Sequence, residues 1–265
     1  MSNIYIGTSG FSYEDWKGFF YPESINQKEF LSYYCTIFNT VELNFTYYRF
    51  PEDYFFLSMF RNVSKSKNFL FSVKANQIFT HQRKYIIGDI KKFTDALQPL
   101  IERKKLGSIL FQFPYSFIYN QQNLNYLKQL LYGFRNCEKS VEFRHLSWLN
   151  KNTFDCLNDN NSGFCNVDEP NLSNLLPATE ILTSENGYIR FHGRNSKYWW
   201  KSNKSYQRYD YMYKQNELIE WVPKIVNMSE KSKKIYIYFN NHYKGKAPAS
   251  ALMLLDLLKS SGLKI

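Results

Sequence analysis

Eight short runs of β-forming residues, each ending in polar side chains and most followed by a helix-like segment, leave this chain very few folds. The runs begin at Ile4 (IYIGTSG), Phe38 (FNTVELN), Phe69 (FLFSVKA), Gly107 (GSILFQF), Ser140 (SVEFRH), Gly163 (GFCNVDE), Gly187 (GYIRFHG) and Ile235 (IYIYFNN). Their starts lie 23 to 48 residues apart, room for a helix in nearly every gap. Residues 25–38 carry Phe30, Tyr33, Tyr34 and Ile37 at helical spacing, and residues 89–104 carry Ile90, Phe93, Leu97, Leu100 and Ile101. Residues 121–131, 217–228 and 248–259 have the same character, whereas the segments after the fifth and sixth runs are short enough to be single turns. Strand–helix alternation repeated eight times predicts an α/β fold, a TIM-type (β/α)8 barrel occupying residues 1–265 as a single domain, with an extended loop after strand seven. A doubly wound open sheet is the alternative.

Side chains alternate between the two faces of a strand, so each run splits into an outward and an inward set. Val41 and Leu43 oppose Glu42 and Asn44; Phe71 and Val73 oppose Ser72 and Lys74; Phe111 and Phe113 flank Gln112. Val141 and Phe143 oppose Glu142 and Arg144, and Ile189 and Phe191 oppose Arg190 and His192. Asn240 ends the eighth strand on the polar face, and Asn166 and Asp168 are assigned inward on the sixth. Polar groups therefore converge at the carboxyl ends of the strands, where barrel enzymes hold their sites. Burying so many ionisable groups costs several kcal/mol each unless they are paired. An ion-pair network serving the fold alone is the competing explanation, and carboxylates fully tied up with no cavity beside them would favour it.

The charge pattern points to an anionic ligand. RFHGR places Arg190 and His192 inward and lets Arg194 turn back over the mouth, and with Arg144, Lys74 and Arg49 this predicts a positive excess there. A carboxylate or phosphate held by arginine forks would balance it. Net charge is +11, but 25 lysines against nine arginines make most of the excess a solvated surface. After the first strand, the Ser9 and Gly10 amides could cradle an oxyanion. After the third, His81 and Arg83 reach the rim; after the eighth come Asn240, Asn241 and His242. The loop 193–213 interleaves Arg194, Lys197, Lys201, Lys204 and Arg208 with Tyr198, Trp199, Trp200, Tyr206, Tyr209 and Tyr211, a pattern suited to stacking on bases or covering a sugar. Strand-end histidines and carboxylates make a metal site conceivable, but no HxH or HxxxH spacing occurs and adjacent Arg and Lys oppose a cation, so no metal and no cofactor is expected. The four cysteines lack CxxC spacing and read as reduced thiols. MSNIYIGTSG has no leader-like pattern and no later stretch offers about 18 apolar residues, so a cytoplasmic protein without a membrane partner is expected.

GTSGFSYEDWKGFFYP, FNTVELNFTYYRFP, SVKA, TH, LGSILFQFP, VEFRHLSW, VDEP, RFHGR and FNNHYKGKAP stand in the order and spacing of the YecE-like family, domain-of-unknown-function family 72, which the whole chain resembles. The resemblance implies a TIM-type barrel. It marks as the family's polar motif positions Glu42, Asn44, Tyr48, Arg49, Lys74, His81, Gln112, Glu142, Arg144, Asp168, Arg190, His192, Arg194 and Asn240.

Three functions compete. The first is an enzyme or binder for a small anionic, phosphorylated or acidic sugar-like ligand. In it Glu42 or Glu142 is the base, His192 or Lys74 the acid, Asp168 a further catalytic carboxylate, and Arg144, Arg190 and Arg194 the clamp. Arg49, Asn44, Tyr48, His81, Gln112, Asn240 and Asn241 line the same site. The second is a nucleic-acid binder using loop 193–213, whose affinity would fall steeply with salt. The third is a metal-dependent phosphoesterase.

Overall fold

Parallel strands β1 (Asn3–Thr8), β2 (Thr40–Leu43), β3 (Leu70–Lys74), β4 (Leu106–Gln112), β5 (Lys139–Glu142), β6 (Ser162–Asp168), β7 (Asn186–Phe191) and β8 (Lys234–Phe239) follow one another around a nearly closed barrel, with β8 beside β1. This is the TIM-type (β/α)8 architecture. The computed structural model describes residues 2–63, 66, 68–201, 204–263 and 265.

Seven joints between strands are backbone ladders, and the eighth, between β1 and β2, is made largely by side chains. The Asn39 amide accepts from Ile6 N and donates to the Ile4 carbonyl, both at 2.9 Å, standing in for a strand neighbour. The Tyr34 hydroxyl accepts from Thr8 N and donates to the Thr40 carbonyl. Gly7 allows the close approach, because a Cβ there would fall 2.0 Å from the Thr40 oxygen. Gly10 N completes the joint by donating to the Glu42 carbonyl.

Helices cover the outer face where the apolar periodicity predicts them: Phe30–Tyr34, Ile87–Ala96 with Gln98–Glu102, Gln121–Gly133, Gln215–Ile219 with Val222–Lys231, and Lys246–Ser260. Helix Asp53–Val63, between β2 and β3, was not anticipated. After β5 the chain forms a full helix, Lys151–Asp159, where a single turn was expected; the Asn150 side chain caps it by accepting from Thr153 N. The described residues between β6 and β7 contain no helix. Val41, Phe71, Ile109, Phe111, Val141, Ile189, Phe191, Ile237 and Phe239 are each fully buried beneath this layer. The lower barrel interior is filled by hydroxyls and aromatic rings: the Tyr238 hydroxyl meets Thr40 Oγ1 and Ser72 Oγ, and Ser108 meets Ser140. No described helix is long and apolar enough to cross a membrane.

Candidate functional site

Neighbours in a parallel ladder point to the same face, so the register assigns the interior strand by strand. Gln112 pairs with Glu142, and Cys165 with Tyr188, whose hydroxyl donates to Glu42 Oε2 inside the barrel. Val167 therefore faces inward beside Arg190, and Asp168 faces outward beside Phe191. The inward assignment of Asp168 is thus corrected. Strand β6 is buried on both faces, and polarity alone could not tell which was which. On the helix side Asp168 accepts from Tyr213 and Trp221 Nε1, both at 2.7 Å, and from Arg194. Asn166, on that same face, is satisfied by Thr179 and the backbone of Ile181.

The next residue, Glu169, takes the place intended for Asp168. It lies 3.0 Å from Arg144 Nη1. Burial pushes its carboxyl up to about 7, with Arg144 offsetting only part of the cost. Its place in the sequence is the end of the run GFCNVDE, one residue beyond the strand that Asp168 ends.

Arg190 is the hub of the interior. One guanidinium nitrogen lies 2.6 Å from Glu142 Oε2, and the other lies 2.7 Å from Glu42 Oε1 and 2.8 Å from Ser9 Oγ. Glu142 also meets Arg144 Nε at 2.5 Å and His192 Nε2 at 3.2 Å. Burial works to raise the Glu142 carboxyl, but Arg144, Arg190 and His192 outweigh it and hold it well below the usual carboxylate range. His192 is wholly buried. Its Nδ1 faces two donors, Asn240 Nδ2 at 3.2 Å and Arg144 Nη2 at 3.5 Å, so the neutral tautomer carrying hydrogen on Nε2, toward Glu142, fits its surroundings. Burial and Arg144 press its pKa down to about 3.

These contacts revise the expected electrostatics. Arg144, Arg190 and Arg194 do not supply a positive excess: each faces a carboxylate, Arg194 facing Asp168 and Glu220 outside the barrel. The Ser9 and Gly10 amides are no oxyanion cradle, since they donate to the Phe239 and Glu42 carbonyls. Arg49 is exposed and stacks on Phe55, Tyr48 is 74% exposed, and Asn241 ties Tyr211 to Ser250 behind the barrel wall. Asn44 stays beside the interior, donating to Ser9 Oγ.

Two cations at the mouth have no described carboxylate within 4 Å, Lys74 and Arg208. The Lys74 ammonium donates to Gln112 Oε1 at 2.9 Å and lies 4.5 Å from the centre of the Tyr47 ring. Gln112 is fixed in turn, its Nε2 donating to the Phe113 carbonyl. Burial first, then Arg190, lowers the Lys74 pKa to about 8. Gln112 in turn lines a cavity of about 240 Å³, together with Arg144, His81, Tyr115, Trp199, Trp200, Arg208 and Tyr209. His81 reaches the rim from a π-turn, Ile78–Gln82, and burial and Lys74 bring its pKa down to about 4.

Loop 193–213 is mostly packed on the molecule; residues 202 and 203 lie outside the described residues. Trp199 is buried with the Arg144 and Arg208 guanidiniums over its ring, while Trp200 is half exposed against Tyr115. Tyr206 stacks on Tyr243, and Tyr213 is buried against Asp168. A larger hollow of about 590 Å³ reaches Asp168, Glu169 and Arg194, but the charges there are already paired. Among the described residues no group of three His, Cys, Asp or Glu side chains is placed to hold a metal ion.

Strand-end polar groups around a buried arginine, opening to a small aromatic-rimmed cavity, define a (β/α)8 barrel with a candidate site at the carboxyl ends of its strands. The chain belongs to the family described as "Protein of unknown function DUF72", whose family model matches residues 5–264. It is 31% identical to the UPF0759 protein YunF of Bacillus subtilis (strain 168), over 96% of this chain and 94% of that one. A crystal structure of a DUF72 family protein from Thermotoga maritima MSB8 superposes with a TM-score of 0.89 at 40% identity, covering 97% of this chain and 99% of that chain. Another from Enterococcus faecalis V583 gives 0.83 at 26% identity, covering 99% and 96%.

Proposed function

We propose that this protein binds a small carboxylate- or phosphate-bearing molecule in the cavity above Lys74 and acts on it by proton transfer at the Lys74 amine. The observation that carries this is a pair of cations with no described carboxylate within 4 Å, Arg208 in the lining of an aromatic-rimmed cavity and Lys74 bonded to the lining residue Gln112, beside charges that are otherwise matched. Arg208 and the outer edge of Arg144 hold the anion, Trp200 and Tyr209 flank its body, and Gln112 orients the amine. Glu42, held by Arg190, Ser9 and Tyr188, and Glu142, held between Arg190, Arg144 and His192, serve here as the frame that fixes Arg144 and His192 rather than as bases. Arg190 is part of that frame rather than a clamp, and His192, neutral and buried, holds Arg144 and Glu142 rather than donating a proton. A lysine brought near the working pH by burial is an effective acid–base group.

Calorimetric titration with phosphate, sulfate, glyoxylate and lactate tests this. Saturable millimolar or tighter binding is expected for at least one of them, weakened about tenfold or more in Arg208→Ala, the loss of a charge-assisted hydrogen bond worth about 1.5–3 kcal/mol. Lys74→Met should weaken it similarly. No saturable binding, or binding that ignores both substitutions, would sink the proposal.

A further inference from the structure

We infer that Lys74 is a nucleophile as well as a proton carrier, forming an imine with an aldehyde or ketone whose carboxylate or phosphate sits in the cavity; this rests on the anion site proposed above.

The geometry is that of a presented amine. Lys74 rises from the last position of β3, where it pairs with Leu110 of β4 and its carbonyl accepts from Thr46 Oγ1. Nζ lies over the Tyr47 ring and is aimed by one hydrogen bond to a neutral amide oxygen, Gln112 Oε1. Gln112 cannot turn its nitrogen toward the amine without breaking its own bond to the Phe113 carbonyl. An ammonium has three hydrogens to donate, and a carboxylate partner would hold it charged. Here no described carboxylate comes within 4 Å, and the side chain stays partly open to solvent.

At pH 7.5 an amine of pKa about 8 is roughly one quarter neutral, some two hundred times the neutral fraction of a surface lysine. Lys139 gives an internal contrast. It too is buried, but it opens β5 at the opposite end of the barrel, with Nζ on the Cys137 carbonyl.

The chemistry balances without a further reactant. The nitrogen lone pair adds to the carbonyl carbon as the C=O π bond opens, a proton passes from nitrogen to oxygen, and a carbinolamine results. A second proton transfer lets that oxygen leave as water, so amine plus carbonyl gives imine plus water. Counted from the resting ammonium, whose proton returns to the imine nitrogen, ammonium plus carbonyl gives protonated imine plus water, so the positive charge beside Gln112 Oε1 is neither created nor lost. The protonated imine also turns the bound carbonyl into an electron sink for bond cleavage or proton removal at the neighbouring carbon.

Borohydride trapping tests this with the full chain. The protein is incubated with glyoxylate, or with glycolaldehyde phosphate as the phosphate-bearing arm, and sodium cyanoborohydride, then mapped by peptide mass spectrometry against its other lysines. Lys74 should be modified at least about tenfold faster than the surface lysines and than Lys139, even after allowance for its lower basicity. The reaction should saturate with at least one of the two carbonyl compounds, be slowed by sulfate, and rise with pH about a midpoint near 8. The readout is taken on the wild-type protein, so it does not depend on a substitution folding. If calorimetry finds the anion bound but Lys74 reacts no faster than surface lysines, the imine is overturned and the anion site stands. If neither binding nor selective labelling occurs, both fall.

Discussion

Replacing Arg190 by Met removes the one group among the described residues that touches both central carboxylates. The side chain loses contacts of 2.6 Å to Glu142, 2.7 Å to Glu42 and 2.8 Å to Ser9, all inside the barrel. Breaking a buried ion pair from one side costs about 3–5 kcal/mol, because the remaining charge is stranded. Two pairs break here, but the losses do not simply add. Glu42 keeps Ser9 and Tyr188, and Glu142 keeps Arg144. About 4 kcal/mol is therefore expected, a fall in Tm of about 8–16 °C for a chain of this size. The pH dependence identifies the cause. Glu142 is held below its ordinary range when folded, so its contribution is present above pH 4.5 and is lost as pH falls through the folded value. Without Arg190 that folded value rises, so less is lost on acidification and the mutant's deficit should be larger at pH 7 than at pH 3 in urea unfolding. Adding Glu42→Gln should recover at least about 1 kcal/mol. A loss below about 1 kcal/mol, or the same loss at both pH values, would show that Arg190 is not the electrostatic hub.

Other outcomes follow from single contacts. Asp168→Asn places an amide N–H against Arg194, Tyr213 and Trp221, all donors, and should cost about 3 kcal/mol in urea unfolding while leaving anion affinity within twofold. Gly7→Ala should destabilise by about 1–3 kcal/mol or more, since its Cβ would lie 2.0 Å from the Thr40 oxygen; a neutral effect in thermal melts would contradict the tight β1–β2 approach. Neutral His192 and His81, with folded pKa values near 3 and 4 against an ordinary 6.5, give stability that is full above pH 6.5 and lost as pH drops; His192→Gln should flatten that acid limb. Glu169, raised to about 7, acts oppositely, contributing most below pH 4.5 and losing it as pH rises through 7, so Glu169→Gln should remove a decline in stability between pH 5 and 8.

Much of this molecule is legible as alternation. Glu42, Lys74, Gln112, Glu142, Arg144, Arg190 and His192 fall on the interior face because each follows an apolar residue that the helices cover, Val41, Val73, Phe111, Val141, Phe143, Ile189 and Phe191. The signal failed at β6, where Cys165 and Val167 face in while Asn166 and Asp168 face a layer that provides hydrogen-bond partners. Outward polar residues on a doubly buried strand look like inward ones until the covering loop is known. Glu169 carried one usable signal, the need for a third carboxylate once Asp168 is turned outward. The matching of Arg144, Arg190 and Arg194 was illegible for a simpler reason. Counting charges at a mouth says nothing of which carboxylate each guanidinium meets, and it was the unremarked neutrality of Gln112 that left Lys74 unmatched. Tyr115 and Tyr47 join the site through packing that no spacing announces.

The joint between β1 and β2 differs in kind from the other seven. A ladder of main-chain bonds tolerates nearly any residue, whereas a clasp built largely from Asn39, Tyr34 and the bareness of Gly7 depends on those particular residues. The girth of the ring is thus adjustable at a single place. A change there would loosen or tighten the whole circle, and with it the mutual spacing of every group at the rim, without touching one of them.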